Sequence, residues 1–223
     1  MAAYFVTGTD TDVGKTYVSS LLLQAAAQLG KRSAGYKPVS AGCDVIDGEL
    51  VNDDAVQLQR AGSLALPLST VNPIAFTPPV APHIAAEEAG TVISTATIES
   101  GLQHIARQTP DLLIMEGAGG WRLPIGDGRY LSDVVAALKL PVIIVVGMRL
   151  GCLNHALLTA EAVQRDGLTI TGWIANQVQP DMARYAQNLA TLEQLMPAPL
   201  LAEVPYQGAP DEAAMAALIK QLC

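Results

Sequence analysis

A glycine-bounded loop near the start of the chain carries residue types that bind phosphate. Five residues separate Gly8 from Gly14, an apolar stretch precedes the loop, and Lys15 and Thr16 follow it. Glycine allows the backbone to turn several N–H groups toward an anion, and a helix beginning after the loop adds its positive end. The Lys15 ammonium can reach the β- and γ-phosphate oxygens, and the Thr16 hydroxyl can ligate Mg²⁺. The pattern predicts a P-loop that binds a nucleoside triphosphate, one residue longer than the common motif.

Two acids and a second lysine follow other apolar segments and can act on the same ligand. Glu116 ends the apolar run 112–115 and precedes several glycines. An acid at the carboxyl end of a strand lies where doubly wound sheets bind ligands, although it can also simply end a strand. Asp54 is either a carboxylate ligand of Mg²⁺ or an N-cap or first-turn acid of the helix that starts there. Lys37 closes a short strand and is either a cation that faces the ligand or an ordinary surface lysine.

Short apolar runs alternate with longer helical segments along the chain. The alternation predicts an α/β fold of the P-loop NTPase kind, a single domain over residues 1–223 with a mostly parallel sheet and helices on both faces. The predicted strands are residues 3–7, 33–37, 112–115, 142–146, 171–175 and 200–204. The predicted helices are residues 14–29, 54–61, 97–108, 131–138, 154–166 and 181–195. Residues 62–82 contain five prolines and are predicted to run over the surface as a binding wall or an oligomer contact.

Composition and charge exclude several classes of protein. Half of the 223 residues are apolar and 15% are charged, which excludes a disordered chain. The net charge of -8 argues against a nucleic-acid partner. The three cysteines are far apart in the sequence, so neither a disulfide framework nor a zinc site is expected. No segment has the features of a signal peptide or the length of a membrane helix, and we expect a cytoplasmic protein with no membrane partner.

Taken together, the motifs resemble those of the dethiobiotin synthetase family, in one order over nearly the whole chain. The matching segments are residues 4–16, 34–39, 70–73, 82–83, 116–121, 150–155 and 172–176. The five-residue gap in the phosphate loop is typical of that family. The resemblance implies an ATP- and Mg²⁺-dependent cyclo-ligase of biotin synthesis, which joins CO₂ to 7,8-diaminononanoate and releases ADP and phosphate. The implied intermediates are an N-carbamate and a carbamic–phosphoric anhydride.

The resemblance also assigns roles to single residues. It assigns Lys37 and Lys15 to catalysis, and it assigns the metal to Thr16, Asp54 and Glu116. The residues assigned to the nucleotide are Asp12, Val13, Gly14, Lys15, Thr16, Tyr17, Asp54, Glu116, Gly117, Ala118, Gly119, Asn176, Gln177, Pro205, Tyr206, Gln207 and Glu212. The residues assigned to the diamine are Thr11, Lys37, Ser40, Ala41, Gly151, Cys152 and Asn154.

This sequence departs from the family's pattern at two places. After Lys-Pro-Val the family often has Ala-Ser-Gly, but here Ala41 stands where the family has serine, and the hydroxyl that touches the diamine is either lost or supplied by Ser40. The family often reads adenine with Asn-Asp, but here Gln177 replaces the acid. The resemblance further implies a homodimer, in which Gly151, Cys152 and Asn154 of one subunit approach the substrate of the other.

Two other functions are compatible with the P-loop pattern. One is a related ligase in which ATP activates a carboxylate and ammonia attacks it. The other is a nucleotide-switch ATPase of the partitioning type, which predicts slow ATP turnover that is independent of any diamine.

Overall fold

The fold is built around a parallel sheet, and the computed structural model describes residues 2–223 of the chain. Within that range the strands are β1 (Ala2–Gly8), β2 (Ser33–Tyr36), β3 (Val39–Ser40), β4 (Asp44–Ile46), β5 (Glu49–Val51), β6 (Ile74–Ala75), β7 (Leu112–Gly120), β8 (Pro124–Gly126), β9 (Arg129–Tyr130), β10 (Val142–Met148), β11 (Ile170–Gln177) and β12 (Leu200–Val204). The helices in the same range are α1 (Lys15–Gln28), α2 (Asp53–Ala61), α3 (Leu68–Val71), α4 (Pro82–Glu88), α5 (Thr95–Ala106), α6 (Leu131–Ala137), α7 (Cys152–Arg165), α8 (Tyr185–Leu195) and α9 (Glu212–Leu222).

The central sheet has six strands in the order β12-β11-β10-β1-β7-β2, and its neighbouring strands pair in parallel. Every residue of β10 is buried, and its Val- and Ile-rich sequence is typical of a strand covered on both faces. After β1 the chain adds β2 and β7 on one side and then β10, β11 and β12 on the other. The carboxyl end of β1 therefore lies where the strand order reverses, which is the usual ligand position in such sheets. The predicted α/β fold with a mostly parallel sheet is confirmed.

The predicted strands and helices are all present; the strand at 200–204 has the predicted bounds, and the other elements have shifted ends. The strand predicted at 33–37 ends at Tyr36, so Lys37 is the first residue beyond it. The strand predicted at 112–115 continues to Gly120, so Glu116 lies inside β7 rather than at its end. Helices predicted at 97–108, 154–166 and 181–195 are found at Thr95–Ala106, Cys152–Arg165 and Tyr185–Leu195.

Helix α9 was not predicted, although it closes the core against α1. The Asp211 side chain accepts hydrogen bonds from the backbone N–H groups of Ala213 and Ala214, which caps the helix. Met215, Leu218, Ile219 and Leu222 are buried on one side of α9.

The prediction for residues 62–82 was wrong in part. Val71 and Phe76 are buried, and β6 pairs with β3 in parallel register. The prolines interrupt regular structure, but the apolar residues between them still pack beside β2, the edge strand of the sheet. The end of this segment forms one wall of the cavity described below, which agrees with the predicted binding wall.

Candidate active site

The loop between β1 and α1 depends on glycine at both ends. Gly14 has a left-handed φ of 84°, and a Cβ atom there would clash with Nδ2 of Asn176. A Cβ atom on Gly8 would lie 2.5 Å from Cγ2 of Val13. No side chain caps the N-terminus of α1. The first turn of that helix is therefore available to an anion held by the loop.

Two lysines, two acids and a threonine meet beside this loop. The Lys37 ammonium lies 2.8 Å from Oε1 of Glu116 and 3.0 Å from Oδ2 of Asp54. The Thr16 hydroxyl donates a hydrogen bond of 2.7 Å to the same Oε1 atom of Glu116. The Lys15 ammonium donates to the backbone carbonyl of residue 10 at 3.0 Å. The structure thus brings together the residues predicted for catalysis and for the metal, from β7, α1, α2 and the end of β2.

Burial and contacts bear on the alternatives that the sequence left open for three of these residues. Lys37 is 3% exposed and is therefore not a surface lysine, and Glu116 is fully buried. Asp54 is both a first-turn acid of α2, whose cap is Asn52, and a partner of Lys37.

The close charges shift the pKa values of three of these groups. Burial and the neighbouring charge of Lys37 lower the pKa of Lys15. Burial also opposes the charge on Lys37, but Glu116 and Asp54 outweigh it and raise the pKa of that lysine. The carboxyl of Asp54 is likewise disfavoured as an anion by burial, yet the charge and hydrogen bond of Lys37 bring its pKa below the ordinary value. Lys37 and Asp54 are therefore charged at neutral pH.

The donor set fits a magnesium ion shared with a nucleotide. Oε2 of Glu116 is buried and has no hydrogen-bond partner, which is the state expected of an atom that ligates a cation. Across residues 2–223 no three His, Cys, Asp or Glu side chains cluster as a self-sufficient metal site. Mg²⁺ typically takes one or two protein carboxylates and completes its shell with phosphate oxygens and water. Thr16, Asp54 and Glu116 suit that arrangement.

A cavity of about 690 Å³ opens above this cluster. The predicted residues that line it are Thr11, Asp12, Gly14, Lys15, Thr16, Tyr17, Lys37, Ser40, Ala41, Asp54, Ala118 and Gly119. Four consecutive apolar residues also line it, namely Pro79, Val80, Ala81 and Pro82. Asn52, Gln57 and Leu123 also line the cavity and were not predicted. The signal for Asn52 was its position as a helix cap two residues before Asp54.

The residues predicted to contact the base lie beside the loop rather than in the cavity. Nδ2 of Asn176 donates to the backbone carbonyl of Val13 at 2.8 Å. Oε1 of Gln177 accepts from the backbone N–H of Tyr206 at 3.2 Å. The Tyr17 hydroxyl donates to the carbonyl of Gly208, which fastens the segment containing Pro205, Tyr206 and Gln207 to α1. Glu212 is exposed at the start of α9.

Gly151, Cys152 and Asn154 do not reach the cavity of their own chain. Gly151 precedes α7 with a left-handed φ of 96°, Cys152 is buried and Asn154 is exposed. Arg149, which was not predicted, donates to the Asp10 carboxylate at 2.7 Å and links this turn to the phosphate loop. Leu150 beside it is 98% exposed.

Residues 2–213 of the chain match a family described as an AAA domain. The chain is 54% identical to the ATP-dependent dethiobiotin synthetase BioD of Alteromonas mediterranea, over 100% of both chains. It is 50% identical to the ATP-dependent dethiobiotin synthetase BioD 1 of Salmonella typhi, over 95% of this chain and 92% of that one. Among solved structures, it is similar to the MinC:MinD cell division protein complex of Aquifex aeolicus, with a TM-score of 0.60 at 14% identity, covering 100% of this chain and 95% of that one. The last similarity is one of fold.

Proposed function

The chain belongs to the ATP-dependent dethiobiotin synthetase family, and we propose that it makes dethiobiotin from 7,8-diaminononanoate, CO₂ and ATP. It is an ATP-dependent ligase, and the names of its relatives support a role in biotin synthesis. The single observation that carries the proposal is the convergence of Lys15, Lys37, Asp54 and Glu116 beside a cavity that is also lined by apolar residues.

The proposed reaction has three steps. One amine of the diamine adds to CO₂ and loses a proton, which gives a carbamate. A carbamate oxygen attacks the γ-phosphorus of ATP and expels ADP, which gives a carbamic–phosphoric anhydride. The second amine attacks the carbonyl carbon, loses a proton and expels phosphate, which closes the five-membered ring.

The two lysines suit the charges that this sequence creates. An alkylamine with a pKa of about 10.4 is mostly protonated at neutral pH, and nearby cations disfavour that protonation. Lys15 and Lys37 would therefore favour the free amine and then stabilise the anionic carbamate. Phosphoryl transfer depends mainly on positioning and electrostatic stabilisation, which the same ammonium groups would supply at the γ-phosphate.

Thr16, Asp54 and Glu116 are the residues that would hold Mg²⁺. The bound ion would offset negative charge on the β- and γ-phosphates. The backbone of the loop from Gly8 to Gly14 would hold the phosphates from the other side.

The remaining walls of the cavity suit the organic substrate. Pro79, Val80 and Pro82 offer an apolar surface to an alkyl chain, and Ser40 and Ala41 line the same cavity as Lys37. Ser40 is the candidate for the hydroxyl that position 41 lacks.

We further propose one domain and a homodimer. One continuous cluster of buried side chains includes residues from β1 to α9, which favours a single domain over residues 1–223. Leu150, just before α7, and Leu158, in the middle of that helix, are 98% and 56% exposed, and a second copy of the chain would cover them. The turn at Gly151 would then face the substrate of the partner. Within residues 2–223 no helix is long and apolar enough to span a bilayer.

The test is product identification by mass spectrometry. The purified protein is mixed with ATP, Mg²⁺, the diamine and ¹³C-bicarbonate, and dethiobiotin should appear one mass unit heavier than the product from unlabelled bicarbonate. ADP should form in proportion to the product and only when the diamine is present. ATP hydrolysis that ignores the diamine would instead indicate a partitioning-type ATPase.

A further inference from the structure

Lys37 receives support from the sheet on only one side. It follows β2, which is the edge strand, and the ladder to β7 ends with the pair Tyr36 and Met115. Lys37 is nevertheless buried, so its backbone groups need hydrogen-bond partners from elsewhere. Its N–H donates to the carbonyl of Val71 at 2.8 Å.

The carbonyl of Lys37 is bonded by a buried side chain from the same segment. Nδ2 of Asn72 donates to it at 2.7 Å, and Asn72 is 7% exposed. The carboxamide oxygen, Oδ1, accepts a hydrogen bond of 2.8 Å from the hydroxyl of Ser40. Both ends of the Asn72 amide are therefore used, and a carbonyl can only accept, so its NH₂ group must face Lys37. One side chain thus joins the two cavity residues Lys37 and Ser40.

We propose that Asn72 is a positioning residue for Lys37 and Ser40, an inference that rests on the proposed function. The Lys37 ammonium reaches both Glu116 and Asp54 within 3.0 Å, and that geometry requires a fixed main chain at residue 37. A misplacement of 1 Å can cost a reaction about 100-fold in rate. Asn72 holds the main chain of Lys37 through its carbonyl, beside an edge strand where the central sheet has no further strand to bond it.

The informative substitution is Asn72→Asp, which keeps the size and the acceptor for Ser40 but replaces the donor with an oxygen. The carbonyl of Lys37 then faces a repelling oxygen, and we expect kcat for dethiobiotin formation to fall by about 100-fold with little change in the KM for ATP. The matched control is Gln59→Leu, because Nε2 of Gln59 donates to the carbonyl of Leu66 at 2.7 Å, away from Lys37. The control should keep the wild-type kcat.

A double-mutant cycle distinguishes a positioning role of Asn72 from a general structural role. When Asn72→Asp is added to Lys37→Gln, we expect no further loss of kcat, since Asn72 acts through the lysine that is already gone. Independent losses that multiply would overturn the proposal.

A second measurement does not depend on activity. Slowly exchanging lysine ammonium groups give ¹H–¹⁵N correlation signals, and the signal absent from Lys37→Gln identifies Lys37. That signal should move or vanish in Asn72→Asp, or in Asn72→Ala where the aspartate variant does not fold, and should stay in place in Gln59→Leu. An unmoved signal together with a wild-type kcat would overturn the proposal. If the wild-type protein makes no dethiobiotin, the proposed function fails, and the ammonium signal still decides the positioning role.

Discussion

The two carboxylates that contact Lys37 differ in burial, and this difference predicts different costs for removing their charges. Glu116→Gln and Asp54→Asn are matched changes, because each replaces a carboxylate with an amide of the same shape beside the same ammonium. The Glu116 side chain is 0% exposed and the Asp54 side chain is 46% exposed. The Lys37 side chain is 4% exposed, so its charge depends on its partners rather than on water.

The magnitudes follow from that exposure. Removing one partner of a buried ion pair typically costs about 3–5 kcal/mol, and we expect about 3 kcal/mol for Glu116→Gln because Asp54 still faces the ammonium. A half-exposed pair contributes only about 0–1 kcal/mol, so Asp54→Asn should be nearly neutral. For a chain of this length each kcal/mol shifts Tm by about 2–4 °C. The expected loss is therefore about 6–12 °C for Glu116→Gln and at most about 4 °C for Asp54→Asn.

The assay is thermal unfolding followed by circular dichroism at neutral pH in EDTA, so that no metal bridges the acids. Equal shifts for the two variants, or a larger shift for Asp54→Asn, would refute the assignment of the buried pair as the stabilising one.

Three further predictions concern catalysis, the loop and pH. Lys37→Gln should lower kcat for dethiobiotin formation by about 100- to 1000-fold, which leaves a measurable remainder, while ATP binding persists, as measured by product assay and equilibrium titration; unimpaired turnover would remove Lys37 from catalysis. Gly14→Ala should weaken ATP binding about tenfold or more, because backbone strain and the clash with Asn176 cost at least about 1.4 kcal/mol. The control is Gly30→Ala, which also has a positive φ of +71° but has no atom within 4 Å of the added Cβ, and it should leave ATP binding unchanged. The pKa of Asp54 is lowered in the folded state. The carboxylate therefore stabilises the fold fully above the pKa of the unfolded chain, about 3.9, and this stabilisation is lost as the pH falls through the lower pKa of the folded state. The small stability difference between wild type and Asp54→Asn should therefore shrink in acid denaturation series below about pH 4, and a difference that grows there would contradict the sign.

The phosphate loop was predictable because its chemistry lies within a few consecutive residues. Gly8, Gly14, Lys15 and Thr16 belong to one turn, and local rules of backbone conformation and charge decide what such a turn binds. The pairing of Lys37 with Glu116 joins residues 79 apart in the sequence, and only the expectation that strand ends share one edge of the sheet linked them. The salt bridge between them could be identified only from the folded structure.

Three other features were not predicted from the sequence. Helix α9 had a signal, since Asp211 precedes an alanine-rich run, but its burial depends on the face of α1 that it meets. The prolines of residues 62–82 obscured Val71 and Phe76, whose burial follows from packing rather than periodicity. The role of Asn72 depends on which carbonyl an edge strand leaves without a partner, and no pattern of residue types indicates that.

The contact between Asn176 and Gly14 limits how this enzyme can be redesigned for a different nucleobase. The amide of Asn176, which is expected to contact the base, also supports the phosphate loop. Its NH₂ group donates to the carbonyl of Val13 and occupies the space that a Cβ atom on Gly14 would need. A bulkier substitute would push the turn outward, and a smaller one would leave it unsupported, so triphosphate affinity would suffer before selectivity changed. Protein engineers should begin instead at Gln177, whose amide oxygen accepts from the backbone N–H of Tyr206 rather than supporting the phosphate loop.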